Sequence, residues 1–195
     1  MNFTRTVEIF HRLRQAGGMN FKMLCLLVPL FALFVGCEKP APPAPAATET
    51  PAAFESLLPQ HAQPKLPTMK LYLGAEVFDA ELALTDAEIR CGMMFRTNIQ
   101  ETDAMIFNLR YPQTAGFWMK NCPESISVAY LTADGVIQEI HHLEQNDTNA
   151  VVAARDDIIF ALETKEGWFG RHNITPGTVI RTEKGSLAET FLRRR

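Results

Sequence analysis

The chain has 195 residues, a length that suits one domain with appended segments better than two full domains. Before Cys37 the charged residues are four basic and one acidic, whereas from Cys37 onward acidic residues outnumber basic ones by 21 to 15. A net negative surface argues against a nucleic-acid partner, because phosphate binding needs a clustered positive field. The only basic run is at residues 193–195, and we interpret it as a solvated tail.

The amino-terminal segment has the pattern of a bacterial export signal. Lys22 supplies a positive charge, and residues 23–35 form an apolar run that is shorter than the ~20 residues of a membrane-spanning helix. The run ends in F-V-G-C, which is similar to a lipobox, whose cysteine is acylated and becomes the first residue after cleavage. We therefore predict a signal peptide over residues 1–36, with Met19 as the true start, and lipidation of Cys37. An uncleaved interfacial helix or an ordinary buried helix is the alternative.

Residues 37–67 are predicted to be a lipidated cysteine followed by a tether rich in proline and alanine. Such a composition buries too little apolar surface to fold, and its prolines favour extended segments. The predicted partner of this part of the chain is a membrane, bound through the lipid anchor. By resemblance to such lipoproteins, Glu38 is not the aspartate that retains them at the inner membrane. The outer membrane, facing the periplasm, is therefore the predicted location.

Residues 68–195 are predicted to form a mainly β domain. Residues 69–73 and 76–84 read as a hairpin, and the T-D-A-E sequence that follows resembles a capping box for a short helix ending near Gly92. Further strand candidates lie at residues 104–109, 116–120, 125–131, 136–140, 157–162 and 178–181. Many short strands with frequent turns favour a small antiparallel domain, sandwich-like or barrel-like, with one or two short helices.

Three segments of this domain resemble the domain of unknown function family 192. They are R-C-G-M-M-F-R at residues 90–96, A-M-I-F at residues 104–107 and F-W-M-K-N at residues 117–121. A D-G-V-I turn and an L-E…G-W element follow in the family's order, so that the resemblance covers residues 69–181. It implies a mainly β, sandwich-like domain, often exported, with no established biochemical role. The chain has Ser127 where the family usually has an aspartate.

The resemblance implies that several polar and aromatic residues of these motifs lie close together. The candidate ligand-binding residues are Arg96, Trp118, Met119, Lys120, Asn121 and Glu163. Two cations, an amide and a carboxylate beside a flat aromatic face suit a small anionic or polyhydroxylated ligand. In the alternative interpretation, Arg96 and Glu163 form an ion pair and Lys120 completes a satisfied polar network at the edge of the core.

Catalysis has weaker support in the sequence. Hydrolysis of glycosides needs two positioned carboxylates, and Ser127 removes the best candidate for a second one beside Glu163. Nucleophilic chemistry would need Cys91 or Cys122 with a histidine as base, and no local signature indicates such a pair. We predict no catalytic residue.

Cys91 and Cys122 each lie within a motif segment, and we predict a disulfide between them, because an exported compartment permits it. Free or catalytic thiols are the alternative. Four methionines and two adjacent histidines could in principle bind Cu(I): Met93, Met94, Met105, Met119, His141 and His142. We interpret the methionines as core residues and predict neither a metal site nor a cofactor.

These features predict an envelope lipoprotein that acts as a non-enzymatic module and binds a small polar or anionic ligand or an envelope protein. One alternative is a hydrolase of envelope carbohydrate that uses Glu163. Another is a structural accessory of the envelope without a ligand site.

Overall fold

Ten strands and three short helices make up residues 58–192, the part of the chain that the computed structural model describes. The predicted signal peptide, Cys37, most of the predicted tether and residues 193–195 lie outside this part. The strands are β1 (Thr68–Leu73), β2 (Glu76–Ala83), β3 (Ala104–Gln113), β4 (Gly116–Phe117), β5 (Ile126–Leu131), β6 (Ile137–Leu143), β7 (Val151–Val152), β8 (Ile158–Lys165), β9 (Ile180–Thr182) and β10 (Gly185–Ser186). The helices are α1 (Asp86–Cys91), α2 (Trp168–Arg171) and α3 (Leu187–Phe191).

Eight of these strands form one sheet in the order β10-β9-β1-β2-β3-β8-β5-β6, while β4 and β7 form a separate pair. Neighbouring strands are antiparallel except β2 and β3. That pair is parallel because the connection through α1 is long enough to return the chain to the edge of the sheet at which β2 begins. The prediction of a small, mainly β domain is confirmed, with one parallel pair inside an otherwise antiparallel sheet.

The sheet curls until strands near its two ends meet. Val136, just before β6, forms a bridge with Val179, just before β9. The Ile180 amide also donates to the Gly135 carbonyl at 2.8 Å. The turn of the β5–β6 hairpin therefore closes the half-barrel against the strand that pairs with β1.

Apolar side chains cover both faces of the sheet. Strands β5 and β8 are buried along almost their whole length, as expected for central strands with a core on each side. One core includes Trp168 and Leu187 from α2 and α3. The other includes Met105, Phe107 and Tyr130, and α1 and the motif segments cover it. The candidate site belongs to this second core.

Several local features differ from the prediction, and the short strands β7 and β10 are among those that were not predicted. The strand predicted at residues 116–120 ends at Phe117, because the chain then turns and Asn121 adopts a positive φ of 59°. Asparagine is one of the few residues that tolerate this left-handed conformation. Helix α3 was not predicted, although Ser186 and Glu189 form the reciprocal hydrogen bonds of a capping box at its start. No helix within residues 58–192 has the length and apolar character to cross a bilayer.

Candidate functional site

The site is built where α1 meets the F-W-M-K-N segment. A capping box at Thr85 and Glu88 starts α1, and Gly92 ends it with a φ of 48°. The loop that follows returns to the second motif, where the Phe95 amide donates to the Asn121 carbonyl at 2.7 Å. This hydrogen bond holds the two motif segments side by side, although they are separate in sequence.

Arg96 binds Glu81 of β2 through two hydrogen bonds of 2.6 and 2.8 Å. Glu81 also accepts from the Leu66 amide at 2.7 Å. Burial works to raise the pKa of Glu81, but the hydrogen bonds from Arg96 and Leu66 outweigh it and lower that pKa. The alternative prediction of an Arg96–Glu163 ion pair is therefore wrong, because the bidentate partner of Arg96 is the carboxylate of β2.

Glu163 of β8 lies on the same face of the sheet and has no such partner. Its register neighbours on the adjoining strands are Met105 and Val128, both apolar. The side chain is almost fully buried, since Glu163 is 4% exposed, and its Oε2 atom makes no hydrogen bond. Burial raises the pKa of Glu163 to about 8, and the charge of Arg96 only partly opposes this. Glu163 is therefore largely protonated and neutral at pH 7.

Glu163 lines a small inner cavity of about 40 Å³. Trp118, Cys91 and Cys122 line the same cavity. A space of this size holds one or two water molecules or the tip of a larger ligand. The inner cavity thus presents a neutral carboxyl group and two thiols within walls that are largely apolar apart from Arg90.

Two outer cavities of about 280 and 500 Å³ adjoin the inner one. All three share Ile89, Arg90 and Trp118 in their linings. Arg90 is exposed at this position, and its side chain forms no hydrogen bond or ion pair with another residue of the described part. We call the outer cavities together the outer groove. It offers an apolar wall and a cation beside the entrance to the inner cavity.

The predicted site residues have different roles in the structure. Trp118 and Glu163 meet at the inner cavity, and the Lys120 ammonium lies 5.9 Å from the centre of the Trp118 ring. Met119 is buried in the core, and Asn121 shapes the turn. Arg90 was not predicted to belong to the site. It is the first residue of the first motif, and its place as a cation in the last turn of the predicted helix is the signal that could have identified it.

The predicted disulfide is not formed in the structure, where Cys91 and Cys122 are both free thiols. In this state Cys91 points its thiol at the His61 carbonyl at 3.9 Å. Cys122 likewise points to the Lys120 carbonyl at 3.6 Å. Burial, together with the nearby Glu163 and Cys91, raises the pKa of Cys122 to about 12.

The residues considered for metal binding make other contacts in the structure or are buried in the core. Within residues 58–192 no group of three or more histidine, cysteine, aspartate or glutamate residues could hold a metal ion. His141 contacts Glu139 at 2.9 Å, whereas His142 contacts Glu144 at 3.1 Å. The methionines singled out in the sequence are all buried in the core, namely Met93, Met94, Met105 and Met119.

Ser127 takes no part in the site. It lies on β5 next to Val128, so its side chain points to the opposite face of the sheet from Glu163. There its hydroxyl accepts a hydrogen bond from the Gly167 amide at 2.9 Å. The expectation that Ser127 replaces a second carboxylate beside Glu163 is therefore wrong.

The fold and the site together define the class of this domain. It is a mainly β half-barrel with a buried glutamate that lines a cavity formed by the motif segments. A family model for the family DUF192, described as Uncharacterized ACR, matches residues 70–182, more than half of the chain. The chain belongs to this family.

Two solved structures are similar to this chain. A protein of unknown function from Novosphingobium aromaticivorans DSM 12444 is 29% identical with a TM-score of 0.57, over 62% of this chain and 90% of that one. A protein from Sinorhizobium meliloti 1021, described as a proposed transcription regulator, is 20% identical with a TM-score of 0.58, over 62% of this chain and 98% of that one. At that identity the second likeness shows the fold alone. A comparison with curated proteins found no match.

Proposed function

We propose that the protein is an envelope lipoprotein whose domain binds a small anionic ligand and does not catalyse a reaction. The observation that carries this proposal is the unpartnered Oε2 atom of Glu163, a residue that lines the inner cavity. Buried polar atoms normally have a hydrogen-bond partner, because leaving one unpaired costs about 1–3 kcal/mol. A ligand group that reaches Glu163 would supply the missing hydrogen bond.

The chemistry of the lining indicates what such a ligand carries. A neutral Glu163 donates through its carboxyl hydrogen, so the inner end of the ligand is a hydrogen-bond acceptor such as a carbonyl or hydroxyl oxygen. Trp118 and Ile89 offer apolar contact in the middle of the site. Arg90 at the outer groove suits a carboxylate or phosphate. The ligand is therefore anionic at one end, flat or apolar in the middle and uncharged at the inner tip.

A thermal-shift screen of the purified protein tests this proposal. Sugars, peptidoglycan fragments, and aromatic or aliphatic carboxylates and phosphates are compared with and without Arg90→Ala. We expect a hit to raise the melting temperature and to lose most of this effect in Arg90→Ala. Arg155→Ala is the matched control, because that exposed arginine lies outside the cavity linings and pairs with Asp157. If a folded protein shows no shift with any class, the small-ligand proposal fails in favour of an envelope protein partner or a structural accessory.

A hydrolase of envelope carbohydrate is the second candidate, and one observation favours it. A carboxyl whose pKa is about 8 can give or take a proton near neutral pH. Hydrolysis by two carboxylates needs a second acid, however, and Asp86 in the outer groove is the only other carboxylate among the described lining residues. Turnover of a peptidoglycan fragment that is lost in Glu163→Gln, with binding retained, would establish the enzyme instead of the binder.

The proposed location depends on the sequence. A lipid on Cys37 and an extended tether would hold the domain in the periplasm near the outer membrane, where envelope fragments and small anions are available. An envelope protein that docks on the same groove is compatible with this location, and the screen above separates it from a small ligand.

A further inference from the structure

We infer that Cys91 and Cys122 are a redox-active dithiol that exchanges with a small disulfide, and that Glu163 is the proton acceptor for this exchange. This activity differs from the proposed ligand binding because its reacting atoms are the two sulfurs, although both use the inner cavity and Glu163. It also differs from the structural disulfide predicted from the sequence, since a redox centre passes between the dithiol and disulfide forms in the folded protein.

The geometry brings together the three groups that such a centre needs. Both thiols and the Glu163 carboxyl line the same inner cavity of about 40 Å³. Cys91 is 5% exposed and Cys122 is 6% exposed, so the cavity shields both sulfurs from bulk solvent. The unpartnered Oε2 atom of Glu163 can therefore accept a proton from a neighbouring thiol without giving up another hydrogen bond.

The elements that carry the thiols allow them to approach each other. Cys91 is the last residue of α1, and Cys122 lies in the turn closed by its own amide donating to the Met119 carbonyl at 3.0 Å. The hydrogen bond from Phe95 to Asn121 already joins the two segments. Each sulfur is held only by a long contact to a carbonyl oxygen, at 3.9 Å for Cys91 and 3.6 Å for Cys122. Losing these contacts costs little, so rotation of the side chains toward each other is feasible.

The exchange runs in two balanced steps. In the first, the Cys91 sulfur attacks a small disulfide, a mixed disulfide forms, and the proton of Cys91 leaves with the released small thiol. In the second, Glu163 takes the proton of Cys122, whose thiolate attacks the Cys91 sulfur and forms the Cys91–Cys122 disulfide. The second small thiol leaves and takes the proton from Glu163. The protein loses two protons and two electrons, and the small disulfide gains both.

The second step depends on a base, because burial and neighbouring groups raise the pKa of Cys122 to about 12. At neutral pH this thiol is almost wholly protonated and is a poor nucleophile without help. The titratable or charged groups that face or influence Glu163 are Arg90, Cys91, Arg96, Cys122 and Tyr130. The ionised fraction of Glu163, which grows as the pH rises toward its pKa of about 8, is the base placed to accept the thiol proton.

The test uses the purified full chain in buffers of 2-mercaptoethanol and its disulfide, a small and uncharged probe. Samples are quenched with acid and alkylated, and intact mass reports free dithiol, mixed disulfide and internal disulfide. We expect the folded protein to pass from dithiol to internal disulfide as the probe becomes more oxidising, and to return when it becomes more reducing. Thiols that stay reduced until the protein is denatured would overturn the proposal. An internal disulfide that the probe does not reduce in the folded protein would overturn it too, and would indicate a structural bridge.

Three variants separate the roles of the residues. Cys122→Ser is expected to accumulate the mixed disulfide on Cys91. Glu163→Gln is expected to slow the second step roughly 100-fold near pH 8, as for loss of a general base. Ser127→Ala, a buried polar change on the opposite face of the sheet, is expected to leave both steps unchanged. Equal rates for Glu163→Gln and the unaltered protein across pH 6–9 would overturn the role of Glu163 and with it the proposal.

Separate readouts keep this inference distinguishable from the proposed function. The exchange is read by intact mass with an uncharged probe, whereas binding of an anionic ligand is read as a rise in melting temperature that Arg90→Ala removes. Exchange without any ligand hit would support this inference and contradict the proposed ligand binding. A ligand hit without exchange would support the ligand binding and contradict this inference.

Discussion

Glu163 makes the stability of the domain depend on pH in an unusual direction. Its pKa rises from 4.5 to about 8 on folding because the side chain is buried, so the folded state keeps a proton that the unfolded chain releases. Its contribution is fully favourable below pH 4.5 and is lost as the pH rises toward 8. The loss is on the order of 5 kcal/mol, since each pKa unit corresponds to about 1.4 kcal/mol.

We therefore expect Glu163→Gln to be more stable than the unaltered protein at pH 9 and similar to it at pH 5. The amide has nearly the shape of the neutral carboxyl but cannot ionise. Urea unfolding at pH 5, 7 and 9 measures the difference, which we expect to grow by several kcal/mol over this range. Ser127→Ala is the control, and its change in stability is expected to stay the same at each pH. Two parallel pH profiles for Glu163→Gln and the unaltered protein would contradict a buried, protonated Glu163.

At the scale of residues, the sequence identified Trp118 and Glu163 but not the partners that decide their chemistry. Glu81, Met105 and Glu163 lie in one row across β2, β3 and β8. Either carboxylate could have formed an ion pair with Arg96. The parallel register of β2 and β3 places Glu81, and not Glu163, as its partner. That register is a long-range property, so no local pattern could predict that Glu163 remains without an ion pair.

At the scale of elements, α1 forms the wall that carries Arg90 and Cys91, and its short length makes it depend on its cap. We expect Thr85→Ala to lower the free energy of unfolding by about 1 kcal/mol, because it removes the side-chain acceptor for the Glu88 amide. Fraying of α1 should also expose Cys91, so alkylation of this thiol in the folded protein should become faster. Ser186→Ala is a matched control, since it removes the same type of cap from α3.

We expect Ser186→Ala to cost a similar free energy and to leave the alkylation of Cys91 unchanged. Urea unfolding and the rate of maleimide addition to Cys91, read by mass, measure both variants. Faster alkylation in both variants would mean that Cys91 becomes accessible through global unfolding and not through fraying of α1.

Local elements were predicted well, and elements that depend on distant partners were not. The β1–β2 hairpin and α1 follow from short patterns, with alternation around Gly74 and a capping box at Thr85. The F-W-M-K-N segment has the composition of a strand. However, the Phe95 amide in the loop after α1 donates to the Asn121 carbonyl and holds the segment in a turn. The parallel pairing of β2 and β3 likewise has no local signal.

At the scale of the whole molecule, closure of the half-barrel depends on Gly135. Its φ is 79°, and a Cβ atom there would lie 2.5 Å from the Ile180 carbonyl oxygen. Gly177 has a φ of 93° but no atom within 4 Å of such a Cβ. We expect Gly177→Ala to cost ~1 kcal/mol from backbone strain, and Gly135→Ala to cost clearly more because the closing strands must separate.

Thermal unfolding of both alanine variants measures this difference, and hydrogen exchange at the Ile180 amide shows whether the closure opens. An equal loss in the two variants would mean that the contact between Gly135 and Ile180 adds nothing to the stability of the half-barrel.

The chain as a whole is predicted to be held at a membrane by one residue outside the described part. Cys37 ends an apolar run and precedes the tether, as required for a lipidated amino terminus. We expect Cys37→Ser to remove the acyl group and to keep the leader uncleaved at this site. Fatty-acid labelling followed by separation of membranes measures the effect, and the unaltered protein should appear in the outer-membrane fraction.

Cys25→Ser is the matched control, because this cysteine belongs to the predicted leader and leaves with it. It should not change labelling or location. A labelled Cys37→Ser variant would show that another residue carries the lipid, and an unlabelled, unaltered protein in the soluble fraction would remove the anchor. Either result would leave the ligand and dithiol proposals standing, since their reacting and binding residues lie within residues 58–192, but it would remove the argument for an envelope ligand.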